Sequence, residues 1–262
     1  MKKYIFFAFL IIVGAGGYYL YNNLEIIVRK VVNKYGSEIT GTKVDLQGFK
    51  LNLTTGEGKI QKITIANPSQ YKKPYLFSLE EIYVKVNMKS LTGDTITINE
   101  IRVDKPAVTY EMLSLTQNNI GEVLQNVKNN TAKTETAAKE EAKKGDEKAG
   151  KKVVIEKIAI NGVSLEADIV TPALPGVESK SVSQSVVLPN IVIKDIGKGK
   201  DGDSVVAAIS TILEKILGEA SKAVVKNNFN DLKGVAEKNL NKVVDDVKEK
   251  VDTKGVFKKL NF

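Results

Sequence analysis

The chain has no cysteine, no histidine and no tryptophan. Without Cys, neither a disulfide nor a lipidated cysteine can hold any part of it, so its stability has to come from burial. The joint absence of His and Cys removes the Ser-His-Asp triad, the Cys-His dyad and the usual zinc ligand sets. Carboxylates remain, and Asp201 and Asp203 with their glycines loosely suggest a calcium loop, but the acidic ligand needed at position twelve is replaced by Ile212. No catalytic residue, metal ligand or cofactor is predicted, and the chain is read as a non-enzyme. Aromatic residues are sparse, so Val, Ile and Leu carry most of the apolar area, which suits β-rich packing and surfaces that meet alkyl chains. The net charge is +8, yet Lys and Arg are interleaved with Asp and Glu and form no concentrated basic tract. Nucleic acid is therefore not an expected partner, and a mildly basic surface beside an anionic bilayer is the simpler reading.

What is present begins with a long apolar run. Lys2 and Lys3 precede an uncharged stretch from Tyr4 to Asn23. A helix from Tyr4 to Leu20 rises about 25 Å, close to the hydrocarbon thickness of a bilayer. Tyr4, Leu10, Ile11, Ile12, Val13 and Leu20 are its expected anchor residues, with Tyr18, Tyr19 and Tyr21 at aromatic-belt depth. The lysines on the short side place that end in the cytoplasm and the body outside it, in the periplasm of a bacterium. Gly14, Ala15 and Gly16 also resemble a signal-peptide cleavage site. A retained anchor fits better, because the run exceeds a secretory core and helical periodicity continues through Leu24, Ile27, Val28, Val31, Val32 and Tyr35.

Short strands are predicted at Val44 to Leu53, Lys59 to Ile65, Leu79 to Met88, Thr95 to Val103 and Ala107 to Met112, joined by short turns and hence pairing as an antiparallel meander. A second group follows at Lys152 to Ile160, Val163 to Ile169 and Val186 to Ile193. A pattern of apolar, two mostly polar, apolar, spacer, apolar recurs as Ile60-Ile63-Ile65, Leu79-Ile82-Val84, Ile98-Ile101-Val103, Ile155-Ile158-Ile160 and Leu188-Ile191-Ile193. In a regular strand the three-residue step would throw one apolar side chain to the wrong face. A bulge at the intervening pair restores one apolar face and bends the strand; a flat strand buried in part on both sides is the alternative.

Between the groups, Asn129 to Lys151 is almost wholly Lys, Glu, Ala, Thr, Asp and Gly with no apolar stripe, read as a disordered or transiently helical insertion. After the turn Gly197 to Gly202, Asp203 or Ser204 can cap a helix carrying Val205, Ile209, Ile212, Leu213, Ile216 and Ala220 on one face. A second helical pattern runs through Leu232, Ala236, Leu240, Val243, Val247 and Val251. Its mixed polar face favours packing on the sheet, or on another helix, over lying on a membrane. Asn67-Pro68 reads as a strand-ending turn, and Asn118-Asn119 as a cap or turn pair.

Thr40-Gly41-Thr42-Lys43-Val44, the Gly56 to Ile65 strand before Asn67-Pro68, Tyr71 with Pro74, Leu79 to Val86 before Ser90-Leu91, Ile96 to Val103 before Asp104-Lys105-Pro106, Tyr110-Glu111, Asn118-Asn119 and Leu188-Pro189-Asn190-Ile191 follow one another in an order that resembles the AsmA family of bacterial envelope proteins. The resemblance implies a twisted β-groove, related to chorein-like bridge proteins, whose lining holds acyl chains, and a link to phospholipid transport and outer-membrane homeostasis. It assigns the lining to Ile63 and Ile65, to Ile82 and Val84, to Ile98, Ile101 and Val103, to Ile155, Ile158 and Ile160, and to Ile191 and Ile193. The expected partners are a phospholipid or other acyl lipid, the inner membrane and other envelope proteins.

The expected fold is thus α+β: an N-terminal transmembrane helix and a twisted antiparallel sheet packed with C-terminal helices. Its parts are an anchor with continuing helix over 1–36, a β module over 37–126, a charged insertion over 127–151, a second β segment of the same sheet over 152–200 and helices over 201–262. A chain this short can shelter part of a lipid but not span a periplasm. The competing readings are a tethered, non-catalytic scaffold, if helices fill the groove, and an LEA-like stress domain, against which the anchor counts.

Overall fold

The computed structural model describes residues 23–114, 116–144, 152–170, 181–199 and 202–226. Helix α1 covers residues 23–40. The strands β1 (Val44–Leu51), β2 (Glu57–Ala66) and β3 (Tyr75–Val86) then meander antiparallel, followed by a 3-10 turn at Met88–Thr92. Next come β4 (Thr95–Asp104), β5 (Ala107–Ser114), the short β6 (Gln117–Asn118) and α2 (Asn119–Lys144). The second half holds β7 (Lys152–Asn161), β8 (Ser164–Val170), β9 (Ser181–Val187), β10 (Ile191–Ile196), the two-residue β11 (Asp203–Ser204) and α3 over 205–226.

These strands form one curled, half-barrel sheet of mixed direction. The expected all-antiparallel meander is corrected at β4. β5 does not fold back on β4 but prolongs it past a corner at Lys105-Pro106, so that β3 carries β4 along one part of its edge and β5 along another. Then β7 and β8 lie parallel to β4 and β5, and β10 and β9 close the order antiparallel to them. Parallel pairing needs a long return, and α2 supplies it. Residues 127–144, expected to be disordered, are the second part of that helix. Val127 is fully buried and Thr134 nearly so. Thr131 Oγ1 and Ser210 Oγ are 2.8 Å apart, and Glu135 accepts from Ser204, so contacts to α3 order a stretch that lacks its own apolar stripe. Ser204 Oγ also caps α3 by accepting from Ala207 N at 3.0 Å.

The three-residue steps are realised as creases. Pairing is interrupted, with the same register on either side, between Leu46↔Ile63 and Gly48↔Gln61, and between Gln61↔Glu81 and Ile63↔Leu79, where Lys62 adopts φ 45°. The line continues through the corner at Lys105 (φ 54°) and at Gly162 (φ 62°), which are joined by the Lys105 N–H donating to Asn161 O at 2.8 Å. A second line crosses β3, β4, β7 and β10 at Asn99, Glu156-Lys157 and Asp195 (φ 58°). Each extra residue keeps the apolar side chains on one face and bends its strand there.

The two faces are chemically opposite. One bears the ion pairs Lys59–Glu81, Lys85–Glu57 and Lys157–Glu100 at 3.0, 3.1 and 3.2 Å, with Arg102 over the Tyr83 ring. Exposed pairs of this kind contribute at most about 1 kcal/mol each, and their consequence is a wetted outer face. The other face joins the helices in one apolar core.

The β1 edge would expose unpaired backbone groups. Arg29, Asn33 and Ser37, spaced by four and therefore on one side of α1, meet them instead. Asn33 Oδ1 accepts from Leu46 N at 2.7 Å, Ser37 Oγ accepts from Val44 N at 2.8 Å, and Arg29 Nε donates to Leu46 O at 3.1 Å.

The expected anchor residues Tyr4, Leu10, Ile11, Ile12, Val13 and Leu20 lie outside the described residues, as does the helical pattern from Leu232 to Val251. Among the described residues no helix is long and apolar enough to cross a membrane.

Candidate functional site

The creases align the apolar residues of neighbouring strands into rows across the sheet. One row runs Leu51, Gly58, Val84, Ile101, Ile158 and Ile193. The next runs Phe49, Ile60, Ile82, Val103, Ile160 and Ile191. Beyond them lie Val86, Ile98, Ile155 and Ile196 on one side, and Leu46, Ile63 and Leu79 on the other. Ile65 follows between Val44 and Phe77. All twelve residues assigned to a lining from the sequence therefore share one face. A sixth triplet, Leu46-Phe49-Leu51, belongs to the same set and was missed. Its spacing is the same, and the signal was disguised by Gly48 in place of a polar residue.

Coverage of this face is uneven. On β7, Ile155, Ile158 and Ile160 are 3%, 1% and 0% exposed, in one core with Leu217, Ala220 and Val224 of α3 and with Ile120, Val123 and Val127 of α2. On β2, β3 and β4, Ile60, Ile63, Ile82, Ile96, Ile98 and Ile101 are only half-buried. They form a contiguous oblique strip of isoleucine beside the sealed part. A surface of branched aliphatic side chains at the margin of a core has no directional polar group, and what it can do chemically is exclude water from another apolar object. Among the described residues no group of three His, Cys, Asp or Glu gathers as metal ligands.

A second constellation locks one end of the sheet. Glu111 on β5 is 5% exposed, and its carboxylate accepts from Lys72 N, Lys73 N and Asn67 Nδ2 at 2.9, 2.9 and 2.8 Å. Asn119, fully buried at the start of α2, donates to Asn67 Oδ1 and Thr109 O at 2.8 Å each and accepts from Glu111 N at 2.9 Å. Asn118 Oδ1 accepts from Gly121 N at 2.7 Å, a helix cap. Asn67-Pro68 and Asn118-Asn119, read separately as turn and cap, are thus both of these and also partners of one another. Tyr71 closes the cluster by donating to Glu122 at 3.3 Å; burial, with the Glu122 carboxylate second, pushes its hydroxyl pKa up to about 12. Lys73 reaches Glu166 at 2.6 Å, and this hydrogen bond raises its pKa. Among the described residues no buried side-chain nitrogen or oxygen is left without a partner, and the cluster ties the β2–β3 loop, β5 and α2 together.

These are the residues by which the sequence resembled a family, now seen as one sheet with one lock. The AsmA family model matches residues 39–196, from the last turn of α1 to the end of β10. The chain belongs to the AsmA family. No curated protein matches it. As an AsmA protein it is envelope-associated, and the family match covers both strand groups and the lock between them.

Proposed function

We propose that this AsmA protein is a non-catalytic, inner-membrane-anchored periplasmic protein that holds lipid acyl chains against the half-open part of its sheet and contributes to phospholipid transport or outer-membrane homeostasis. The observation that supports this reading is the oblique strip from Ile63 through Ile82 and Ile101 to Ile96, aliphatic throughout and only half-covered. Leaving such area in water is unfavourable by about 25 cal/mol per Å², which favours an apolar occupant. The site on this reading is the β2–β4 part of the lining, with Ile63, Ile82, Ile98 and Ile101 as its contacts. Ile155, Ile158 and Ile160 serve as the core that backs it.

One observation favours a tethered scaffold instead: the sealed packing over β7, where helical side chains already occupy the face. Native mass spectrometry of the detergent-solubilised full chain separates the two. Lipid-bound species are expected in the wild type. They are expected to vanish in Ile101→Asp with far-UV circular dichroism unchanged, whereas Ile158→Asp, at a fully buried position, should unfold. A folded wild type free of lipid would decide for the scaffold.

A further inference from the structure

The two ends of the sheet differ, and the difference starts from how α1 arrives. Ser37 bonds Val44 and Asn33 bonds Leu46, so α1 runs antiparallel to β1. From Asn33 back to Asn23 the helix spans about 15 Å. From Leu46 forward to Leu51, β1 spans about 16 Å. The first described turn of α1 therefore lies level with the β1–β2 hairpin, and the apolar run ending at Leu20 joins the fold at this end. Strand direction brings the Met88–Thr92 turn and the first residue of β7, Lys152, to the same end.

This end shows apolar side chains to solvent: Leu53 is 39% exposed at the hairpin, and Ile26 and Ile27 of α1 are 60% and 40% exposed. The hairpin tip is built to hold Leu53 outward. Asn52 Oδ1 accepts from Thr54 N at 2.9 Å and from Thr55 N at 3.2 Å, and Gly56 N donates to Asn52 O at 2.7 Å. Lys50 lies beside it, and Lys89 and Lys152 stand at the same end of the sheet, all exposed and without a carboxylate within ion-pair distance among the described residues. Glu57 is already paired with Lys85, leaving Asp94 exposed, with Glu25 of α1 and Asp203 half-buried at the same end. A fixed apolar tip among lysines, at the end where a membrane-length apolar run joins, has the composition of a surface that rests on anionic headgroups.

We propose that the hairpin end of the sheet docks on an anionic bilayer, with Leu53 inserted at headgroup depth and Lys50 and Lys89 over lipid phosphates. This goes beyond lipid binding in the isoleucine strip and does not depend on it. Docking sets the sheet upright on the leaflet, its strip beginning at the membrane surface.

Because the chain has no cysteine, Leu53→Cys gives a single labelling site for an environment-sensitive fluorophore. Ser69→Cys, in the exposed loop at the opposite end, is the control. The full chain is reconstituted into vesicles of phosphatidylcholine alone or with 30% phosphatidylglycerol, each doped with a headgroup nitroxide lipid. A label at position 53 is expected to shift to the blue and to be quenched at least twofold more in the anionic vesicles, and the label at 69 to be unaffected. Lys50→Glu with Lys89→Glu should lower the docked-to-undocked ratio at least tenfold, since each lysine near an anionic surface contributes about fivefold. Equal quenching at 53 and 69, or quenching at 53 indifferent to anionic lipid and to charge reversal, overturns the proposal. The Lys50→Glu and Lys89→Glu pair should lower docking while leaving the lipid-bound species of the strip unchanged, so failure of one reading is distinguishable from failure of the other.

Discussion

The side chain of Asn33 accepts the backbone N–H of Leu46 at 2.7 Å, standing where a neighbouring strand's carbonyl would stand. With Arg29 and Ser37 it turns one side of α1 into a substitute strand. Asn33→Leu, which keeps the volume and removes the acceptor, is expected to cost about 1–3 kcal/mol in urea denaturation. It should also produce concentration-dependent association in size-exclusion chromatography, because the β1 edge regains a free donor.

Glu111 takes three hydrogen bonds, two of them from the backbone N–H groups of Lys72 and Lys73 and one from Asn67 Nδ2. Glu111→Gln keeps the shape but turns an N–H group toward other N–H groups. A loss of about 2–3 kcal/mol is expected, as for a hydrogen-bonded charged group. Chemical denaturation followed by circular dichroism reads it directly, and Glu111→Ala should be worse.

The Tyr71 hydroxyl keeps its proton in the folded state up to about pH 12, whereas in the unfolded chain it ionises near its ordinary value of 10. Between those values the folded state binds the extra proton, so stability is complete below pH 10 and falls as pH rises toward 12. Tm measured from pH 9 to 12 should decline less steeply in Tyr71→Phe than in the wild type. The variant should lose about 1 kcal/mol at neutral pH, where the bond to Glu122 is missing.

Gly162 stands at φ 62° with room for a side chain, whereas Gly56 stands at φ 72° with Val86 O only 2.3 Å from where a Cβ would be. Gly162→Ala therefore carries the conformational cost alone, about 1–2 kcal/mol. Gly162→Asn, which tolerates this backbone, should carry less than half of it. Gly56→Ala should exceed both in the same denaturation assay, because backbone has to move.

What the sequence discloses of this fold follows from the range of the interactions involved. The triplets from Ile60 to Ile193 are local, since a bulge is a property of a strand and its two neighbours, and their spacing announces both face and bend. The parallel pairing of β4 with β7 is not local. Nothing in Ile98 or Ile155 states direction, which is set by the return through α2. Residues 129–144 carry no local signal of their order for the same reason: Thr131 finds its partner at Ser210 of α3 and Glu135 at Ser204, which caps that helix, 79 and 69 residues away in sequence. The lock was half legible, with Asn67 and Asn119 plain as turn formers. The carboxylate joining them lies in a strand, where a Glu ordinarily signals solvent.

Because α1 blankets the flank at β1, while β9 and β10 end the strand order with no further strand beside them among the described residues, the architecture has a finished side and an unfinished one. Its curvature is written strand by strand, at these creases, so more strands of the same script could be appended on the β10 side without redrawing what came before. A gutter of this kind lengthens in a single direction, away from α1, and its length becomes a matter of counting repeats.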